Sequence, residues 1–184
     1  MDATEIRPQE IGGEAPDFTL DDLEGRRISL STELAAKKGG VLVFWSAVCS
    51  HCVRYDDYLN RFSDQHPDFC LLAIASRQQE SREDLLKTVR ERKLSFRILL
   101  DSGGILARSW FTQQTPRAFL IGPNRCLLYR GAIDNFQFPG DSDYAAYLEP
   151  AIADLLAGRP VSQPETASFG CAIKSVYYTL PRTL

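Results

Sequence analysis

The chain has 184 residues, 44% of them hydrophobic, which is enough for a single domain with its own apolar core. Its 24 acidic and 21 basic residues are mixed along the sequence and leave a formal net charge of −3. Because there is no basic block or basic face, neither nucleic acid nor a membrane surface is expected as a partner. No apolar stretch approaches the ~20 residues of a membrane span, and the N-terminus lacks a signal-peptide pattern. The sequence as it stands predicts a cytoplasmic protein, or an extracytoplasmic (periplasmic) one if an export signal has been removed.

The N-terminal part predicts a β-hairpin, because two short runs, residues 18–20 and 27–30, are separated by a turn sequence. A polar cap at Ser31 begins a short helix. Residues 41–45 then form an apolar run that predicts a buried strand. The hairpin is therefore expected to precede the main sheet.

The middle of the chain alternates between helix and strand patterns. The predicted elements are a helix over 50–65, a strand over 69–75, a helix over 81–92, a strand over 96–100 and a short helix over 104–110. This alternation predicts an α/β fold in which parallel strands are joined by right-handed crossovers.

The C-terminal part predicts an antiparallel hairpin and one more helix. The hairpin strands are residues 118–121 and 126–130, and the helix spans 142–157 before a Gly-Arg-Pro stop. We expect a domain over residues 1–160 and a tail of uncertain order over 161–184.

A Cys-Ser-His-Cys tetrapeptide stands between the buried strand and the following helix. It places Cys49 ahead of the helix and Cys52 on the inward apolar stripe of the first turn. At a helix N-terminus, unpaired N–H groups and the helix dipole favour a thiolate over a thiol. We therefore predict that an accessible Cys49 attacks disulfides and that Cys52 resolves the mixed disulfide.

Cysteines in such a sequence also have other possible uses. The pair could also be half of a zinc site or a structural disulfide, but zinc usually needs a second Cys/His pair, which the sequence lacks. Cys70 and Cys126 lie in strand-like apolar runs, where a free cysteine acts as a small hydrophobic residue. Cys171 lies beyond the predicted domain and is either an additional redox thiol or an exposed bystander.

Four segments form a recognisable set. They are residues 13–18 (Gly-Glu-Ala-Pro-Asp-Phe), residues 44–52 around the cysteines, the Thr115-Pro116 pair and Gly131. This set resembles the redoxin branch of the thioredoxin superfamily, in particular TlpA-like thiol-disulfide oxidoreductases related to the AhpC/TSA group. The resemblance implies a thioredoxin-like fold with a mixed central sheet, flanking helices and an N-terminal β-hairpin extension.

The resemblance also implies how the site is built. Pro116 is expected in a cis peptide that faces the cysteines, with the Thr115 backbone placed to pair with an extended substrate strand. Trp45 is expected to join Thr115 and Pro116 in binding the substrate. Since the position of the buried acid of thioredoxins is Val43 here, the proton acceptor for Cys52 is unidentified.

His51, directly before the second cysteine, is a candidate tuning residue. An imidazolium beside Cys49 would favour its thiolate and make the disulfide a stronger oxidant. The alternative is a solvated loop histidine.

Two other functions are alternatives to this interpretation of the sequence. A thiol peroxidase would need Pro seven and Thr or Ser three residues before its cysteine; Ser46 meets the second requirement, but Leu42 stands at the first. A copper-binding thioredoxin-fold module would space its cysteines three apart and use a distant histidine, and no histidine follows Pro116.

The sequence therefore predicts a monomeric thiol-disulfide oxidoreductase without organic cofactor or metal. Its expected partners are protein thiols or disulfides and an upstream reductant or oxidant.

Overall fold

A computed structural model describes residues 9–173 of the chain. The strands are β1 (Thr19–Asp22), β2 (Arg27–Ser29), β3 (Gly39–Trp45), β4 (Phe69–Ala75), β5 (Arg97–Leu100), β6 (Gln114–Thr115), β7 (Arg117–Ile121), β8 (Leu127–Gly131) and β9 (Cys171–Ala172). The helices are α1 (Leu30–Leu34), α2 (Ser50–Val53), α3 (Asp56–Gln65), α4 (Arg82–Arg92), α5 (Ile105–Ser109) and α6 (Leu148–Leu156). In this part of the chain, no helix is both long and apolar enough to cross a membrane.

The centre of the fold is a mixed seven-stranded sheet in the order β2-β1-β5-β4-β3-β7-β8. Strands β3, β4 and β5 are parallel, whereas β7 runs antiparallel to β3 and to β8. The β1–β2 hairpin extends the sheet beyond β5. The α/β fold, its mixed sheet and the N-terminal hairpin extension are thus confirmed.

Both faces of the sheet are covered, which explains why β3 and β4 are apolar throughout. Alternate residues of β3 point to opposite layers, since successive side chains of a strand leave opposite faces. Val41 and Val43 pack in the layer that contains α3, α4 and α6. Leu42 and Phe44 pack in the layer that contains α1 and α5.

The cysteine pair lies at the carboxyl end of β3, on the side of the sheet that carries α3. In the register of β3 with β7, Phe44 is opposite Arg117. The Thr115-Pro116 pair, which directly precedes Arg117, therefore lies beside the end of β3. The sheet thus brings together two segments that are far apart in the sequence.

The helix expected over 50–65 is interrupted, which corrects the sequence prediction. Helix α2 ends at Val53, and the N–H of Tyr55 bonds the Cys52 carbonyl at 2.9 Å in a tight turn before α3 begins. Two long-range contacts hold this turn. The Tyr55 hydroxyl donates to Asp134 at 2.5 Å, and the Arg54 guanidinium donates to the Phe136 carbonyl at 2.7 Å.

The last helix is shorter than expected, because the residues before it bond elsewhere. The N–H of Asn135 donates to the Ala145 carbonyl at 2.9 Å, and the N–H of Tyr147 donates to the Ile133 carbonyl at 3.0 Å. Backbone groups engaged in this way cannot close helical turns. Helix α6 therefore begins at Leu148.

The tail expected to be of uncertain order is fixed to the domain over residues 161–173. The N–H of Arg130 donates to the Pro164 carbonyl at 3.0 Å, and the N–H of Thr166 donates to the Arg130 carbonyl at 3.1 Å. The hydroxyls of Tyr129 and Thr166 are 2.6 Å apart. These bonds carry the tail along β8 and back towards the cysteines.

Asp101 caps α5 from a buried position, and we expect its loss to destabilise the fold. Its carboxylate accepts the N–H groups of Leu106 at 2.8 Å and Ala107 at 2.9 Å and the hydroxyl of Ser76 at 2.7 Å. Because Asp101→Ala leaves these donors without a partner, it should cost about 2–3 kcal/mol in urea unfolding. Asp64→Ala, at an exposed position of α3, should change the free energy by less than about 0.5 kcal/mol. Equal losses in both variants would contradict the capping role.

Candidate functional site

Cys49 is the N-cap residue of α2. Its carbonyl accepts the N–H of Cys52 at 2.9 Å and that of Val53 at 3.2 Å, while its own N–H donates to the Ser46 carbonyl at 3.3 Å. Helix α2 has only four residues, so the helix dipole expected from a long helix is not available to Cys49.

The Cys49 sulfur faces the Thr115-Pro116 pair. The peptide bond between Thr115 and Pro116 is cis, as the resemblance predicted. The Cys49 sulfur lies 3.2 Å from the Thr115 carbonyl oxygen, to which it donates a hydrogen bond when it is protonated. The nucleophile and the expected docking edge are therefore in direct contact.

Hydrogen bonds between thiols lower the pKa of Cys49 from 9.0 to about 4. The Cys52 thiol makes the largest contribution, and the side chains of Cys171 and Thr115 add to it, while burial acts in the opposite direction. The direction of this pKa shift agrees with the thiolate expected from the sequence, but its main cause is a neighbouring thiol and not the helix dipole.

The pKa of Cys52 is raised, first by burial and then by its hydrogen bond to Cys49. The pair thus has one anionic sulfur and one protonated sulfur at neutral pH. Opposite pKa shifts of this kind suit an attacking and a resolving thiol, and the assignment of these roles to Cys49 and Cys52 stays a prediction.

The expectation of an accessible Cys49 is wrong for this structure, because its exposed fraction is 0%. Strand β9 of the tail pairs antiparallel with β6, and Cys171 lies opposite Thr115. Cys171 packs against the apolar cluster that contains both Cys49 and Cys52. It is neither outside the domain nor remote from the thiols.

The tuning role of His51 stays a prediction. Its side chain packs edge-on against Phe136, with ring centroids 6.0 Å apart. None of the hydrogen bonds that lower the pKa of Cys49 comes from the imidazole. The backbone N–H of His51 instead favours the thiolate of Cys171.

The substrate-binding role of Trp45 stays a prediction, and the structure buries its side chain. Its exposed fraction is 0%, and its indole N–H donates to Asp56 at 3.3 Å. The Arg92 guanidinium lies 5.3 Å from the Trp45 ring and also ion-pairs with Asp56. The alternation of β3 turns this ring into the layer of α3 and α4, which also contains Cys49 and Cys52.

Glu80 is a site residue that the sequence reasoning missed. One of its oxygens accepts the Ser46 hydroxyl at 3.1 Å and the Val48 N–H at 3.2 Å. Burial raises the pKa of this carboxyl. Glu80 follows β4, and the carboxyl ends of parallel strands meet at one edge of a sheet, which could have pointed to it.

Arg92 supports the same loop from the other side. Its guanidinium donates to the Ala47 carbonyl at 2.8 Å. The loop before Cys49 is therefore held by two charged side chains, Glu80 and Arg92, that position the nucleophile without touching its sulfur.

The remaining sequence candidates lie away from the thiols. Cys70 is buried in β4, which fits its predicted packing role, and burial raises its pKa to about 12. Cys126 is half-buried just before β8 and donates to the Gly12 carbonyl at 3.4 Å.

The structure also shows where the residues that bear on the two rival functions lie. Leu42 packs in the layer of α1 and α5, on the face of the sheet away from the thiols. Ser46 donates its hydroxyl to Glu80. Within residues 9–173, no group of three or more His, Cys, Asp or Glu side chains is arranged to hold a metal ion.

Comparison with known families agrees with this geometry. The model of the AhpC/TSA family matches residues 11–130, more than half of the chain. The chain belongs to the AhpC/TSA family. It is 30% identical over 118 residues to the thiol-disulfide oxidoreductase ResA of Bacillus thuringiensis subsp. konkukian, and the match covers 64% of this chain and 67% of that relative.

Solved structures resemble this chain over a longer stretch than the family model does. A protein of Sinorhizobium meliloti described as hypothetical has a TM-score of 0.80 and 26% identity, covering 92% of this chain and 97% of its own. The thioredoxin domain of a thiol-disulfide oxidoreductase from Bacteroides vulgatus has a TM-score of 0.57 and 23% identity, covering 66% of this chain and 87% of its own. The thioredoxin-like fold is thus confirmed, and the relatives support the predicted oxidoreductase chemistry.

The thiol contacts predict how the ionisation of Cys49 responds to substitution. In the reduced protein, the ultraviolet thiolate absorbance should rise as the pH passes about 4 and should be missing in Cys49→Ser. Cys52→Ala removes the strongest donor, so the transition should move upward towards 9.0, while Cys52→Ser should restore part of the shift through its hydroxyl.

His51→Ala measures the imidazole in the same titration and should move the transition upward if the ring contributes. A transition near 9.0 in the unsubstituted protein would contradict the thiol hydrogen bonds.

Proposed function

We propose that this protein is a thiol-disulfide oxidoreductase that exchanges a Cys49/Cys52 dithiol or disulfide with protein substrates. The observation that carries the proposal is the opposite shift of the two pKa values, one thiol lowered and its neighbour raised. A pair of this kind holds one nucleophile ready and keeps the second sulfur protonated until it is needed.

In the reductive direction, the Cys49 thiolate attacks one sulfur of a substrate disulfide. A bond forms between Cys49 and that sulfur, the substrate disulfide breaks, and the other substrate sulfur leaves as a thiolate that takes up a proton. Cys52 then loses its proton and attacks Cys49, which releases the reduced substrate and leaves the Cys49–Cys52 disulfide. The substrate gains the two electrons that the pair loses.

The attack of Cys49 on the substrate makes the later attack of Cys52 on the mixed disulfide easier. In the mixed disulfide, Cys49 no longer carries a negative charge, so its contributions to the raised pKa of Cys52 disappear. The Ser46 backbone N–H still favours the Cys52 thiolate. The resolving thiol therefore becomes easier to ionise only after a substrate has reacted.

The surroundings of the pair suit a protein substrate. The backbone of Thr115 can pair with an added extended strand, a common mode of peptide recognition. Large apolar side chains near the thiols are exposed, with 65% exposure for Val48 and 65% for Phe169. The direction of exchange follows from the potentials of the partners, although a stabilised thiolate shifts the pair towards an oxidant.

Trapping of mixed disulfides tests this proposal. Cys52→Ser should accumulate long-lived mixed disulfides with partner proteins, at least about tenfold more than Cys49→Ser, because only the former keeps the nucleophile. The comparison is made in chains that also carry Cys171→Ser, so that this thiol does not release the trapped partner. Non-reducing electrophoresis with mass spectrometry gives the yield.

Cys126→Ser serves as the matched control and should retain the dithiol activity. Equal trapping by the Cys49→Ser and Cys52→Ser variants would show that the assigned roles are wrong.

A further inference from the structure

The tail occupies the edge at which a substrate strand would dock. Strand β9 pairs antiparallel with β6, with Cys171 opposite Thr115. The Thr115 hydroxyl donates to the Cys171 carbonyl at 3.5 Å, and the N–H of Ile173 donates to the Gln113 carbonyl at 2.9 Å. The chain thus adds its own strand where strand addition was expected from a partner.

Two residues beside Cys171 fit the tail to this position. Gly170 passes so close to β6 that a Cβ atom there would lie 1.8 Å from the Thr115 carbonyl oxygen. Ile173 is buried in the apolar layer of α1 and α5. Gly170, which has no side chain, lets the tail approach β6, and the buried Ile173 anchors the tail. Together they hold Cys171 beside Cys49.

We propose that Cys171 is a third exchange thiol, which forms a disulfide with Cys49 while the tail strand fills the substrate site. This inference rests on the proposed function, because it uses the disulfide that the Cys49/Cys52 pair forms. In the oxidised protein, the tail is then a tethered substrate mimic. A partner protein must displace it or react with it.

The exchange is balanced within one chain. The Cys171 thiolate attacks the Cys49 sulfur of the Cys49–Cys52 disulfide, so that a Cys49–Cys171 bond forms and the Cys49–Cys52 bond breaks. Cys52 leaves as a thiolate and takes up the proton that Cys171 lost. No external oxidant or reductant takes part, since one disulfide is exchanged for another.

The charges around Cys171 favour this attack once Cys49 is oxidised. In the reduced protein, the pKa of Cys171 is raised, first by its hydrogen bond to Cys49. A disulfide sulfur carries no charge, so that contribution is lost in the oxidised protein. The Arg77 charge and the His51 N–H, which both favour the Cys171 thiolate, remain.

Disulfide mapping of the full-length protein tests the inference. The protein is equilibrated with mixtures of reduced and oxidised glutathione, quenched with acid, alkylated and digested without reductant. We expect a Cys49–Cys171 peptide alongside the Cys49–Cys52 peptide, and only the latter in Cys171→Ser. Cys126→Ser should give the unsubstituted pattern. Full alkylation of Cys171 at every glutathione ratio, with Cys49 and Cys52 linked, would overturn the inference.

A second variant keeps Cys171 but removes the strand. Gly170→Ala places a methyl group against the Thr115 carbonyl, so the tail must leave β6. We expect the Cys49–Cys171 fraction to fall, and alkylation of reduced Cys49 by iodoacetamide to become about tenfold faster, the effect of losing one or two hydrogen bonds. Ala172→Ser, at an exposed position of the same strand, should change neither quantity. An unchanged disulfide fraction in Gly170→Ala would show that strand pairing does not place Cys171.

The two proposals fail in different ways. If Cys49–Cys52 forms and trapping depends on Cys49 while Cys171 stays free, only the further inference is wrong. If glutathione yields no disulfide at Cys49 and Cys49→Ser traps partners as well as Cys52→Ser does, the proposed function itself is wrong.

Discussion

The contact between Cys49 and Thr115 is the constraint on which the site depends. The Thr115 carbonyl lies 3.2 Å from the nucleophilic sulfur, and the same residue pairs with Cys171 of the tail. One backbone position thus fixes both the thiol that reacts and the strand that is presented to it. The contact exists because β3 and β7 are neighbours in the sheet, which brings the end of one beside the start of the other.

Cys49 and Cys52 carry one negative charge between them and have no solvent-exposed surface. Burial alone disfavours a thiolate, yet the hydrogen-bonding influence of the Cys52, Cys171 and Thr115 side chains outweighs burial and lowers the pKa of Cys49. In a medium of low dielectric constant such bonds are strong, and an unpaired charge would be costly. The hydrogen bond between the two thiols is the main cause of the low pKa of Cys49 and, after burial, the second cause of the raised pKa of Cys52.

The loop before the thiols is held by charged side chains from two other segments of the chain. Glu80 and Arg92 hold the loop before Cys49, and Arg92 is in turn fixed by Asp56 and the Trp45 ring. Such support keeps a reactive group in one geometry. It also explains why Trp45 is buried.

Local features of the fold and the site could be predicted from the sequence, because they depend on neighbouring residues. Continuous apolar runs of strand length revealed β3 and β4, and the two-residue spacing of Cys49 and Cys52 after a buried strand indicated the chemistry. The resemblance of short segments supplied the fold and the cis bond before Pro116. These features require no knowledge of how distant segments meet.

Tertiary structure decided what surrounds the cysteines. The helix break at Tyr55 depends on Asp134, 79 residues away, and the contact of Cys49 with Thr115 spans 66 residues. The covering of Cys49 by Cys171 depends on a tail whose composition gives no hint of where it binds. Since burial, hydrogen bonding and charge at a thiol are set by whichever groups the fold brings within a few ångströms, the cause of the low pKa of Cys49 could be known only from the folded chain.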